Sequence, residues 1–247
     1  MLDLNKIYCG DNITLIKQLD DDSIDLTVTS PPYDNLRTYN GFSWDFEGLA
    51  KELYRVTKQG GVVVWIVNDA TINGSETGTS FRQALYFMEC GFNLHDTMIW
   101  QKPICANAGG INVRYWQSFE YMFVFSKGRI NTFNPIKDRK NINGGKIMTG
   151  TIRQPDGTTV KNPSCGNMVS EFGSRINIWE CDNKRSSTHP ATFPERLILD
   201  HIISWSNAGD IVFDPFIGSG TTAKASKKLG RHYIGFEISQ EYCNIII

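Results

Sequence analysis

An apolar strand, Ile211-Val212-Phe213, runs straight into Asp214-Pro215-Phe216-Ile217-Gly218-Ser219-Gly220-Thr221-Thr222 and then into a helical segment ending at Leu229. Two glycines between a strand and a helix let the backbone turn tightly and approach a ligand with no side chain in the way. A second strand, His232 to Phe236, ends on Glu237. That acid lies about 20 residues past the turn, where folds of this kind place a carboxylate for ribose hydroxyls. The glycines do not follow the Gly-x-Gly-x-x-Gly spacing of dinucleotide sites, so a nucleoside without a pyrophosphate is the better-matched ligand.

A second punctuation mark lies near the other end of the chain. The apolar run Ile24 to Val28 leads into Thr29-Ser30-Pro31-Pro32-Tyr33. Two consecutive prolines offer no N–H and fix φ, so the strand stops there and the carbonyls of Ser30 and Pro31 are left outside any ladder. A rigid elbow with a hydroxyl, carbonyls and an aromatic ring suits a planar group bearing an exocyclic amine. Hydrogen bonds hold the amine while Tyr33 stacks on the ring.

Apolar strands are expected at Lys6 to Cys9, Ile24 to Thr29, Val62 to Val67, Leu94 to Trp100, Tyr121 to Ser126, Ile211 to Phe213 and Tyr233 to Phe236. Helical spacing and caps predict helices at Asn12 to Leu19, Phe46 to Thr57, Ser80 to Met88, Pro194 to Trp205 and Thr222 to Leu229, with the start of another at Gln240 to Ile247. Strands alternating with helices imply a largely parallel α/β sheet covered on both faces, with ligands bound beyond the carboxyl ends of its strands. Elbow and glycine turn both fall at such ends.

Together these residues resemble the amino-group DNA methyltransferases, which methylate cytosine N4 or adenine N6. In that family the elbow is Ser, Asp or Asn before Pro-Pro-Tyr or Pro-Pro-Phe, and the cofactor turn is Asp-Pro-Phe-x-Gly-x-Gly-Thr. Both are present, elbow first and turn last, as in the circularly permuted beta group, and the resemblance covers nearly the whole chain. It implies a Rossmann-like methyltransferase fold with a seven-stranded, circularly permuted sheet, and S-adenosyl-L-methionine as cofactor. Asp11 matches the acid that binds the cofactor adenine amine. His189 and Pro190, in His189-Pro190-Ala191-Thr192-Phe193-Pro194, match the segment closing over the methionine part. Asp214, Phe216, Gly218, Gly220, Thr221 and Glu237 complete the cofactor set, and Ser30, Pro31, Pro32 and Tyr33 the catalytic one.

The implied chemistry needs no covalent intermediate. Ser30 and the Pro31 carbonyl accept hydrogen bonds from the amine, aiming its lone pair at the sulfonium methyl, and transfer follows by positioning and electrostatics. The base must leave the duplex stack, with Tyr33 offsetting part of the unpairing cost. Asp34 to Asn40 form a candidate loop over the flipped base, and Arg37 is placed for a phosphate. Ser at the first elbow position goes mostly with cytosine N4 in the family, and adenine N6 is the alternative. Enzymes of cytosine carbon 5 are excluded, since none of the nine prolines precedes a cysteine.

A net charge of -1 is not the basic balance of a nucleic-acid binder, but it is segregated. From 127 to 161 eight basic residues, Lys127, Arg129, Lys137, Arg139, Lys140, Lys146, Arg153 and Lys161, face only Asp138 and Asp156. The surrounding segment Phe133 to Gly173 is rich in Asn, Gly, Pro and Thr without apolar periodicity, and a long structureless loop within a domain is usually functional. Residues 127–177 are therefore read as an inserted target-recognition region, with Lys137, Arg139, Lys140, Lys146 and Arg153 as DNA contacts. Residues 1–126 and 178–247 are read as the catalytic domain.

Six scattered cysteines and four histidines show no metal-ligand spacing, so no metal is expected. No apolar run is long enough for a membrane span and no signal peptide is recognisable, which places the protein in the cytoplasm. Double-stranded DNA is the expected partner. A companion restriction endonuclease and a homodimer are both compatible with the resemblance. An RNA- or protein-directed methyltransferase, a catalytically inactive DNA-binding homologue and, more remotely, a nucleotide-dependent oxidoreductase are the rival readings.

Overall fold

The computed structural model describes residues 2–32, 44–102, 114–181 and 194–245. They form two compact units, one from Met1–Asn134 with Asn177–Ile247, the other Pro135–Ile176. In the larger unit, besides a short hairpin of Thr71–Ile72 with Ser75–Glu76, the described residues build an eight-stranded sheet from β1 (Lys6–Cys9), β2 (Ile24–Thr29), β3 (Thr57–Val67), β4 (Asn93–Gln101), β5 (Phe119–Ser126), β6 (Ile178–Glu180), β7 (Ile211–Asp214) and β8 (His232–Glu237). Their order across the sheet is β1-β8-β7-β2-β3-β5-β4-β6. All neighbours pair in parallel except β5 with β3 and with β4, so β5 alone runs against the rest. The sequence predicts seven of these strands. The eighth, β6, is a three-residue piece in which only Trp179 is buried, too short to register as an apolar run.

Helices α1 (Asn12–Ile16), α2 (Phe46–Val56), α3 (Thr79–Glu89), α4 (Glu195–Trp205), α5 (Thr221–Lys228) and α6 (Gln240–Ile245) complete this unit. Asp45 caps α2 by accepting the Gly48 N–H at 3.0 Å, and the helix buries Leu49, Ala50, Leu53 and Val56 along one stripe. That stripe joins Val63, Trp65 and Val67 of β3 and Phe87 of α3 in a single cluster. Strand side chains alternate, so Val62, Val64 and Ile66 point to the opposite face, and they too are buried. There α4 packs on β2 and on α5, burying Leu197, Ile198 and Ile202. Cover on both faces is what an unbroken apolar strand requires. α6 lies against β1 and β8 at the sheet edge.

Helix α2 passes directly into β3, which begins at Thr57 rather than at the expected Val62. A register shift between Ile24 and Leu26 of β2 absorbs the extra residues, and Gly60 turns there with φ +80°.

The smaller unit is a two-stranded antiparallel ribbon. Arg139–Lys140 pairs with Phe172–Gly173, Ile147 bridges Met168, and Thr151–Arg153 pairs with Thr159–Lys161. The ribbon reverses at Gln154 to Thr158, where Gln154 N–H donates to the Thr158 carbonyl at 2.7 Å. No residue from 135 to 176 is buried, so backbone hydrogen bonds rather than an apolar core define it. The absence of alternation in the sequence hides this ribbon, because loops on each strand interrupt the period of two. Lys127, at the head of the basic segment, lies instead in the larger unit, buried with Nζ 2.7 Å from Asp22 and 2.9 Å from the Tyr54 carbonyl.

Candidate active site

Four adjacent parallel strands, β1, β8, β7 and β2, end on the same edge of the sheet. Their carboxyl ends carry Asp11, Glu237, Asp214 and Ser30. The two motifs, far apart in sequence, are thus brought side by side by strand order alone. They are also tied directly. Thr29 Oγ1, the last hydroxyl of β2, donates to Asp214 Oδ1 at 2.7 Å inside the protein.

Asp214 is the knot of this edge. Its Oδ1 also accepts the Phe216 N–H at 3.0 Å, and its Oδ2 accepts the Thr222 hydroxyl at 2.7 Å from the first turn of α5. One carboxylate therefore joins the elbow strand, the glycine turn and the helix that follows. Burial pushes its pKa from the ordinary 3.8 up to about 6, the three donors pull against that rise, and Glu237 nearby adds to it. Asp214 is only 3 % exposed and faces into the protein, where it holds the turn rather than meeting solvent.

The turn is shaped by two left-handed glycines, Gly218 at φ +51° and Gly220 at φ +80°. It folds back over β8, where Ile217 N–H donates to the Phe236 carbonyl at 2.9 Å. Gly218 N–H then donates to Glu237 Oε2 at 3.0 Å, and Ser239 N–H to Oε1 at 2.8 Å. Each Glu237 oxygen accepts one backbone proton and keeps a further lone pair, the capacity needed for a vicinal diol. On the neighbouring strand, Gly10 N–H donates to the Glu237 carbonyl at 2.8 Å and sets Asp11 beside it. Asp11 is exposed and uses Oδ2 to accept from Thr14 N–H and Oγ1, at 2.9 and 2.8 Å, capping α1. Two carboxylates beside a glycine turn fit the ribose and adenine of S-adenosylmethionine.

Gly235 of β8 makes this packing feasible. A Cβ there would meet Ile217 Cδ1 at 2.1 Å and Cβ at 3.1 Å. Gly235→Ala is expected to displace Ile217 and the turn with it, lowering stability by about 1 to 3 kcal/mol, as overpacking does. Ile217→Val, which removes the offending methyl, should recover part of the loss; thermal unfolding of the single and double variants checks this.

Trp44 adds an aromatic wall, with its ring centroid 5.0 Å from Phe216 and 6.1 Å from Trp65. Trp65 is fully buried and donates its indole N–H to Gln83 at 2.9 Å. Sequence reasoning misses Thr29, Trp44, Gly235 and Ser239. Trp44 carries a usable signal, since it sits just before the helix cap Asp45, where an apolar residue commonly fixes chain entry.

Ser30 and Pro32 are half-buried and Pro31 is buried at the end of β2. Tyr33, Arg37, the loop Asp34 to Asn40, His189 and Pro190 lie outside the described residues. Thr221 opens α5 and is half-buried, with its Oγ1 3.4 Å from Ser219 Oγ. Lys137, Arg139, Lys140, Lys146 and Arg153 all lie in the ribbon unit and are exposed. Arg139 Nε donates to the Ser174 carbonyl at 2.9 Å within that unit. Among the described residues no helix is long and apolar enough to cross a membrane.

Comparison with known proteins gives the family. Residues 24–247 match the DNA methylase family. The chain is 57% identical over 239 residues to the orphan methyltransferase M.BamHII of Bacillus amyloliquefaciens, covering 93% of this chain and 89% of that protein. It is 31% identical over 267 residues to the type II methyltransferase M.BglII of Bacillus subtilis, covering 98% and 68% of the two. In structure it is similar to the cytosine-N4-specific PvuII DNA methyltransferase, with TM-score 0.72 at 21% identity over 98% of this chain and 84% of that one. The M1.HpyAVI complex with S-adenosylmethionine gives TM-score 0.64 at 22% identity over 98% and 97%. The chain therefore belongs to the N6/N4 DNA methylase family, enzymes that carry a methyl group from S-adenosylmethionine to an exocyclic amine of DNA.

Proposed function

We propose that this enzyme methylates the N4 amine of cytosine within a specific sequence of duplex DNA. The observation that carries the reading is the serine elbow at the end of β2, fastened through Thr29 and Asp214 to the cofactor turn. Ser30 and the Pro31 carbonyl accept hydrogen bonds from the amine and hold its lone pair out of conjugation with the ring. When bound, S-adenosylmethionine supplies the electrophilic methyl. The rest is positioning, worth several orders of magnitude when reacting atoms are held at contact distance. Glu237 takes the ribose hydroxyls and Asp11 the adenine amine, and Tyr33 stacks on the extruded cytosine. Arg37, His189 and Pro190 close over phosphate and cofactor. Residues 127–177, through Lys137, Arg139, Lys140, Lys146 and Arg153, supply phosphate and base contacts.

The preference for cytosine N4 follows the family tendency of serine at this elbow position; a hydroxyl is a weaker acceptor than a carboxylate, so Ser30 sets no physical veto on adenine N6. Mass spectrometry of nucleosides from DNA treated with the purified enzyme and cofactor is expected to show N4-methylcytosine. N6-methyladenine in its place would overturn the choice of base while leaving the amine chemistry intact. We assign the protein to the cytoplasm, in contact with chromosomal or phage DNA. A companion endonuclease would recognise the same sequence.

A further inference from the structure

The ribbon contains an internal two-fold repeat that its sequence barely shows. Equivalent residues lie 21 positions apart, as Lys140 and Lys161, Asn141 and Asn162, and Gly145 and Gly166 do. The backbone bonds repeat in pairs. Gly145 N–H donates to Val169 O at 2.9 Å, and Gly166 N–H to Met148 O at 3.0 Å. Met148 N–H donates to Asn167 O at 2.8 Å, and Val169 N–H to Lys146 O at 2.9 Å. Asn141 N–H donates to Glu171 O at 2.8 Å, and Asn162 N–H to Gly150 O at 3.0 Å. Each pair maps onto its mate by a half-turn about an axis through the Ile147–Met168 bridge.

The half-turn also relates the loops that interrupt the strands. Gly144 N–H donates to Asn141 O at 3.1 Å in one loop, and Cys165 N–H to Asn162 O at 2.9 Å in the other. The glycines that close them are both left-handed, Gly145 at φ +78° and Gly166 at φ +95°. Even the steric partners swap. A Cβ on Gly144 would meet Glu171 Cα at 2.9 Å, whereas Cys165 sits against Gly150, its thiol donating to that carbonyl at 3.1 Å. Outside the loops, Lys140 faces Phe172 and Lys161 faces Thr151 in matching register.

Three physical facts connect this symmetry to a ligand. The major groove of B-DNA is about 12 Å wide and admits a two-stranded ribbon. The duplex backbone has two-fold axes normal to its length, at each base pair and each step, and so offers equivalent phosphates on its two strands. The charge is complementary: from 139 to 173 the ribbon has five basic residues, Arg139, Lys140, Lys146, Arg153 and Lys161, against Asp156 and Glu171. Lys140 and Lys161 are both exposed at symmetry-equivalent positions.

We propose that the ribbon enters the major groove with its pseudo-two-fold axis on a local dyad of the duplex, so that Lys140 and Lys161 hold equivalent phosphates on opposite strands. The inference rests on the reading of this region as the DNA contact, and it adds the geometry of docking. Phosphates fix register and bases give specificity. Equivalent positions with different side chains, Lys146 and Asn167, then meet base edges in the two halves of the site. Lysine favours the O6 and N7 acceptors of guanine, whereas asparagine pairs with adenine by donating to N7 and accepting from the N6 amine.

The test uses the whole chain and a short duplex carrying the sequence it methylates. Lys140→Ala and Lys161→Ala should each weaken binding by a similar factor, about threefold to tenfold, and each should lower the salt dependence of log affinity by about one. Neither should alter binding of S-adenosylmethionine. Ethylation of DNA phosphates should interfere at two positions, one per strand, related by a two-fold axis. Interference on one strand only, or loss confined to one lysine, would sink the symmetric docking while keeping the ribbon as a DNA contact. If Lys140→Glu combined with Lys161→Glu left binding unchanged with the fold intact by circular dichroism, the ribbon would not touch DNA, and the reading beneath the proposal would fall too.

Discussion

Replacing Asp214 with alanine is expected to lower the unfolding free energy by about 3 to 5 kcal/mol and the melting temperature by about 10 °C. The change strips the acceptor from two buried hydroxyls, Thr29 and Thr222, and from the half-buried Phe216 N–H. Each orphaned buried donor costs about 1 to 3 kcal/mol. A loss under about 1 kcal/mol would mean the edge is held some other way.

The same residue sets a pH signature with a definite sign. Its folded pKa of about 6 lies above the ordinary 3.8. Below about pH 4 the group carries its proton in both states; between about 4 and 6 the unfolded chain ionises first, so stability falls as pH rises. Above about pH 6 the penalty levels off at roughly 3 kcal/mol. Asp214→Asn keeps the shape, cannot ionise, and should flatten this decline. Urea denaturation of both proteins at several pH values across that window measures it, and parallel curves would refute the assignment.

Replacing Glu237 with alanine is expected to raise the dissociation constant for S-adenosylmethionine about 100-fold, a loss of about 2.7 kcal/mol. The carboxylate is clamped by Gly218 N–H and Ser239 N–H, so its outward lone pairs are already aimed before any diol arrives. Such preorganisation removes an ordering cost from binding. Glu237→Gln retains one acceptor but not the charge, and an intermediate loss of about tenfold is expected. Calorimetric titration reads both; alanine binding within about threefold of the parent would remove Glu237 from the ribose site.

What could be read directly from the sequence was local. The glycine turn announces itself because left-handed backbone at Gly218 and Gly220 demands residues without a Cβ, and the elbow because two prolines end β2 whatever surrounds them. Helix α2 is legible from its cap and its apolar stripe. The buried role of Asp214 is not, because its partner Thr29 lies 185 residues away and only strand order brings them together. The reversed direction of β5 is invisible for a similar reason, since its apolar pattern matches that of a parallel strand. The ribbon escapes detection because its hydrogen bonds use backbone that any sequence supplies. Its two loops erase the alternation by which strands are recognised.

With no buried residue between 135 and 176, side chains there are released from the demand that they fill space together. Mutations that would ruin a packed interior become nearly free in this segment, provided the turn glycines stay. If the ribbon reads the target as proposed, an enzyme so arranged can acquire a new target sequence by drift in its ribbon while its chemistry stands still. Randomising those outward positions is thus a practical route to methylases of altered address.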